Sequence, residues 1–223
     1  MKKIDLLKKI EEAKIKQKAG NSFEANQIFQ ELLKANNDSF DLLYAYGIFC
    51  RDLKNLNLAK RVFLNLINKF PSSVNSYILL AEILKIENRF KDAEKVLLNA
   101  IKIDPNNGDL FYNFSLLFFA SKNFEYALVY IDKAIKVSIS NDIYKLLKSE
   151  IYINKYKIDD AIYILEDLKK NRIKKDNKNE IRINILLADA FLKKRKYEEA
   201  ETLLLELIKK YPGLELAYLN LSI

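Results

Sequence analysis

Histidine is missing from the chain altogether, and cysteine occurs once, at Cys50. Those two shortages exclude a Ser-His-Asp triad, a Cys-His dyad and the usual His/Cys zinc sites. An internal disulfide needs two thiols, so none can form. Proline occurs three times and glycine four times. So few turn residues exclude a sandwich or barrel of many short strands. No two glycines lie close together, so a glycine-rich phosphate loop is excluded as well. No run of about 18 apolar residues exists that could cross a bilayer as a helix. The opening stretch, MKKIDLLKKIEEAKIKQKAG, interleaves charge too densely for the apolar centre of a signal peptide. A single thiol suits a reducing compartment, and the expectation is a cytoplasmic protein.

What is present points to a large buried core. Half of the 223 residues are apolar, with 13 Tyr and 13 Phe among them. Lysine and arginine number 38 against 30 acidic residues, a net charge of +8. Lysine dominates, whereas phosphate and nucleic-acid sites favour the bidentate fork of arginine. The surplus is read as composition and solubility. Neither a cofactor nor a metal is expected, and the chain reads as a non-enzyme.

The strongest signal is internal repetition. Ala25, Ala59, Ala93, Ala127 and Ala161 follow one another at intervals of 34, and Ala200 follows after 39. Four residues beyond each stands a large apolar side chain: Phe29, Phe63, Leu97, Ile131, Leu165 and Leu204. Three further on comes Leu32, Leu66, Ala100, Ala134, Leu168 or Leu207. Steps of three and four share one face of a helix. Twelve residues before each marker alanine lies a small residue: Ala13, Gly47, Ala81, Ser115, Ser149 and Ala188. A small side chain lets two helices approach closely. Pro71, Pro105 and Pro212 stand twelve residues after their alanines, where a helix should stop. Each period therefore predicts two amphipathic helices of about a dozen residues joined by a tight turn.

A 34-residue unit with small, apolar, Ala, Ala and Pro positions at these offsets resembles the tetratricopeptide repeat. The resemblance implies an all-α fold, a right-handed solenoid of antiparallel helix pairs. It divides the chain into repeats at about 6–39, 40–73, 74–107, 108–141, 142–180 and 181–214, followed by a lone helix at 214–223. The first repeat carries Glu12 and Lys16 where apolar residues are expected, which suits a polar cap on a terminal repeat.

Two stretches depart from the pattern. Lys169 to Glu180 lengthens the fifth repeat and carries Lys169, Lys170, Arg172, Lys174, Lys175 and Lys178. It reads as an extended, solvated connection, with a basic tab for an anionic partner as the sharper alternative. The final stretch, Gly213 to Ile223, is apolar for a terminal helix, with Leu214, Leu216, Leu219, Leu221 and Ile223. It carries the expectation that further chain follows, or that this end packs against another copy.

The resemblance also implies where function sits. In this family the first helices line a concave groove, with positions 2, 5, 9 and 12 facing inward. The candidate partner-binding residues are then Tyr44, Ile48, Arg51, Ile78, Glu82, Lys85, Tyr112, Leu116, Phe119, Glu150 and Asp189, with Asn113 at the neighbouring position 6. Glu82, Glu150 and Asp189 share one repeat position and suggest an acidic line, suited to a peptide or partner helix with alternating apolar and basic residues. Some family members clamp a terminal carboxylate with a lysine at position 5. Here that position holds Ile10, Tyr44, Ile78, Tyr112, Leu146 and Ile185, so no such clamp is expected. The expected function is a protein-protein interaction scaffold. The alternatives are a nucleic-acid-binding helical array, or the interaction domain of a larger assembly, secretion component or enzyme.

Overall fold

The computed structural model describes residues 3–172 and 177–221. Thirteen α-helices and no strands occur among them. They are α1 Lys3–Lys18, α2 Ser22–Ala35, α3 Phe40–Asp52, α4 Leu56–Lys69, α5 Val74–Ile86 and α6 Phe90–Ile103. The series continues with α7 Gly108–Ala120, α8 Phe124–Val137, α9 Asp142–Asn154 and α10 Ile158–Arg172. It ends with α11 Asn177–Lys193, α12 Tyr197–Lys210 and α13 Glu215–Leu221. Odd and even helices pair as hairpins, and each hairpin packs on the next within its unit. The fold class is all-α, built from antiparallel helix pairs.

Local chemistry explains the boundaries. The Asn55, Asn107 and Asn123 side chains accept from the backbone N–H of Leu58, Leu110 and Tyr126, which starts α4, α7 and α8. Ser39 does the same for α3 through Leu42. Pro71, Pro105 and Pro212 follow the last residues of α4, α6 and α12 by two, where the chain cannot continue helically.

The turn inside each pair is the same device six times over. Gly20, Lys54, Asn88, Lys122, Tyr156 and Arg195 all have positive φ, between 57° and 85°. In each turn the following N–H returns to a carbonyl five residues back: Asn21 to Lys16, Asn55 to Cys50 and Arg89 to Leu84. Asn123 to Phe118, Lys157 to Tyr152 and Lys196 to Phe191 complete the set, all at 2.8–2.9 Å. These are left-handed helix terminations that satisfy orphan carbonyls, and only one of the six uses glycine.

The chain forms two compact units, residues 1–106 and 107–223. In the first, the marker alanines Ala25, Ala59 and Ala93 are fully buried beside Phe29, Phe63 and Leu97. Gly47 shows why its position is small. A Cβ built there would lie 2.7 Å from Cζ of Phe63, a ring with no exposure of its own. Burying such a ring contributes about 1.5–3 kcal/mol. In the second unit, Ala127, Ile131 and Ala134 pack with Tyr144, Leu147 and Ile151. Ala161, Leu165 and Leu168 pack with Ile183, Leu187 and Ala190. Ser115 donates from its buried hydroxyl to the carbonyl of Ala127 at 2.9 Å, tying α7 to α8.

Where it is described, the stretch expected as an extended connection is helical. α10 runs on through Lys169 and Lys170 to Arg172, and α11 begins at Asn177. The segment has neither proline nor glycine, and its Lys, Arg, Asn and Glu side chains can all join an adjacent helix. Lys174 and Lys175 of the basic stretch lie outside the described residues, as do the side chain of Arg172 and, at the other departure, Ser222 and Ile223.

Candidate functional site

In each unit the first helices of neighbouring pairs lie side by side and share an inner side. In residues 1–106 this side is built by α1, α3 and α5. The period of 34 aligns their residues in three rows. Lys14, Ile48 and Glu82 form one row, Gln17, Arg51 and Lys85 the next, and Lys18, Asp52 and Ile86 the third.

The side chains confirm that α1, α3 and α5 meet along these rows. Arg51 donates from Nη1 to Oε2 of Glu82 at 3.2 Å. It also donates from Nε and Nη2 to Oδ1 of Asp52 at 3.1 and 3.0 Å. Gln17 reaches across from α1 to Oδ2 of Asp52 at 3.1 Å. Tyr44 stacks on Phe40 with ring centroids 5.5 Å apart, and burial pushes its hydroxyl pKa up. Burial pushes the Lys85 ammonium down, with Glu82 acting in the opposite direction. Ile78 is only 8% exposed and belongs to the core of the unit.

Between α1 and α3 the surface opens into a hollow of about 300 Å³ lined by Lys14, Gln17, Lys18, Ala45, Ile48 and Asp52. Of these, only Ile48 stood among the sequence candidates. Lys14 and Gln17 occupy the same repeat positions as Ile48 and Arg51, one period earlier. The polar look of the first repeat, read as a cap, drew attention away from them.

In residues 107–223 the inner side is built by α7, α9 and α11. Tyr112, Leu116 and Phe119 are half-buried and recur at steps of four and three along one face of α7. Tyr112 stacks on Tyr144 at 5.2 Å, and Phe119 packs on Phe124 at 5.7 Å. Tyr144 in turn donates to Oδ1 of Asp109 at 2.6 Å, and burial together with that carboxylate pushes its hydroxyl pKa up. Asn113 donates back to the carbonyl of Asp109 at 2.8 Å. Glu150 accepts from Arg182 of α11 at 2.7 Å, and Asp189 from Lys193 at 2.7 Å.

The acidic line expected from Glu82, Glu150 and Asp189 is therefore neutralised. Each carboxylate already holds a cation of the chain: Arg51, Arg182 and Lys193. Two of the three pairs join neighbouring first helices, a relation invisible until the repeats are stacked. Partly exposed pairs of this kind contribute about 0–1 kcal/mol each, so their main effect is on the sign of the surface.

The tetratricopeptide repeat family model matches residues 74–107, and a second tetratricopeptide repeat model matches residues 185–213. These two stretches are tetratricopeptide repeats. Solved structures of tetratricopeptide repeat proteins share the chain's fold at low identity. PilW, a widely conserved type IV pilus biogenesis factor, is 14% identical over 98% of each chain, with a TM-score of 0.80. Yeast Tom70 is 22% identical over 97% of this chain and 45% of its own, with a TM-score of 0.77. YrrB, a repeat protein with an unusual peptide-binding site, is 15% identical over 87% of this chain and 98% of its own, with a TM-score of 0.59. None of the curated proteins matches the chain in sequence. Tetratricopeptide repeat proteins generally mediate protein-protein interactions and are typically non-catalytic. Among the described residues no cluster of acidic residues and Cys could hold a metal ion, and no helix is long and apolar enough to cross a membrane.

Proposed function

We propose that this repeat protein is a scaffold whose first-helix inner surfaces hold a protein partner, as an extended peptide or a docked helix. One observation carries the reading. Tyr112, Leu116 and Phe119 form a half-buried apolar stripe along α7. The carboxylates on the neighbouring first helices, Glu150 and Asp189, are already paired. Apolar contact area of low conformational freedom beside neutralised charge is what an interface centre requires. The peptide-binding site named for YrrB supports the same use of the fold.

The test is affinity capture from source cells with the purified chain as bait. Tyr112→Ala and Phe119→Ala are expected to lose the captured partner, whereas Tyr163→Ala, on the exposed side of α10, retains it. Thermal melts run in parallel separate lost binding from lost folding. Full capture by both inner-side variants sinks the assignment.

A further inference from the structure

On residues 1–106 the inner surface carries more cations than anions. The three rows on α1, α3 and α5 hold four cations, Lys14, Arg51, Lys85 and Lys18, and two anions, Glu82 and Asp52. Both anions are engaged: Glu82 by Arg51, and Asp52 by Arg51 together with Gln17. Arg51 is thereby occupied as well. Lys18 and Lys85 make no hydrogen bond or ion pair among the described residues, and Lys14 meets only the exposed carboxylate of Glu11 at 3.3 Å. Burial has already stripped water from the Lys85 ammonium. An under-compensated, partly desolvated ammonium gains more from an incoming carboxylate than a fully hydrated one does.

Beside the lysines lies the hollow floored by Ala45 and Ile48. At about 300 Å³ it stands at the small end of ligand pockets, the size for an apolar side chain rather than a whole cofactor. Its walls are polar on the α1 side, where Lys14, Gln17 and Lys18 stand, and carry Asp52 on the α3 side. No aromatic ring lines it, so it offers no stacking platform for a nucleobase. The only arginine in the three rows is committed to carboxylates. These features favour a peptide over a nucleic acid.

We infer that the inner side of α1, α3 and α5 binds an acidic peptide segment, with one apolar side chain of the segment seated on Ala45 and Ile48 and its carboxylates met by Lys14, Lys18 and Lys85. This assignment rests on the inner-surface reading above and fixes the sign and character of the partner. Steering by these lysines favours acidic sequences and disfavours basic ones through like-charge contact.

Three fluorescein-labelled peptides test it against the full chain by fluorescence polarisation. Each carries a central Leu-Phe pair, flanked on both sides by three Glu, three Lys or three Ser. The Glu peptide is expected to bind at least about tenfold tighter than the other two, and more weakly as salt rises from about 50 to about 300 mM. Lys14→Glu with Lys18→Glu is expected to weaken it at least about tenfold. Ile48→Asp removes the apolar seat and does the same. Lys85→Met weakens it while leaving the melting temperature at or above that of the parent, which separates binding from folding. Tyr163→Ala, on the exposed side of α10, leaves this affinity unchanged.

Preferential binding of the Lys or Ser peptide, abolished by Ile48→Asp, overturns the acidic assignment and leaves the inner surface standing as a docking site. Glu-peptide binding untouched by all three variants overturns the site. So does its full displacement by a single-stranded RNA 20-mer at equal concentration, since the surface would then be a polyanion patch. Failure of all three peptides overturns the inference, while partner capture through Tyr112 and Phe119 still reports separately on the broader reading.

Discussion

At the scale of single residues, the hairpin turns carry an unrelieved local cost. Five of the six left-handed positions hold Lys, Asn, Lys, Tyr and Arg rather than glycine. An L-residue there costs about 1–2 kcal/mol relative to its right-handed conformation. Tyr156, with φ 57° and 80% exposure, has little packing to offset that cost. Tyr156→Gly is expected to raise stability by about 0.5–1 kcal/mol, the relief being trimmed by the larger unfolded-state freedom of glycine. A urea titration measures it, and a midpoint that falls would refute the account. The sequence hid these positions because a left-handed termination is recognised by glycine, and here only Gly20 displays it. Their intervals, four of 34 and one of 39, become visible only once the backbone angles are known.

At the scale of elements, the small residues decide how closely the helices of a pair can lie. Ala127 is fully buried on α8, and its carbonyl receives the Ser115 hydroxyl of α7. Ala127→Leu adds three carbons where no space exists. It is expected to cost about 1–3 kcal/mol through displacement of α7 from α8. Chemical denaturation with a helical readout tests this, and a tolerated leucine would contradict the packing described. The marker alanines, their apolar followers and the terminating prolines were all legible as a pattern, since steps of three, four and 34 are properties of sequence alone. The end of α10 was not legible. Lys169 to Glu180 has the composition of a solvated connection, but charge alone does not break a helix, and no Pro or Gly stands there to end one.

At the scale of the molecule, stability in a repeat array is close to a sum over pairs and their neighbours. Residues 1–106 comprise three helix pairs with a core of their own, the number such arrays need to bury a continuous interior. Produced alone, this segment is expected to be helical and to melt in a single cooperative transition by circular dichroism. A gradual, non-cooperative loss of signal would show that the three pairs lack independent stability.

The amino-acid sequence by itself determined the helical class, the period, the hairpin and the absence of His-based chemistry, because these follow from composition and from distances along the chain. Only the tertiary structure decided the electrostatic character of the inner surfaces. Arg51 lies 31 residues before Glu82, and Arg182 lies 32 after Glu150. Coulomb attraction acts across space and is screened over about 10 Å in salt water. Which carboxylate is spent and which lysine is left over therefore depended on stacking one repeat upon the next.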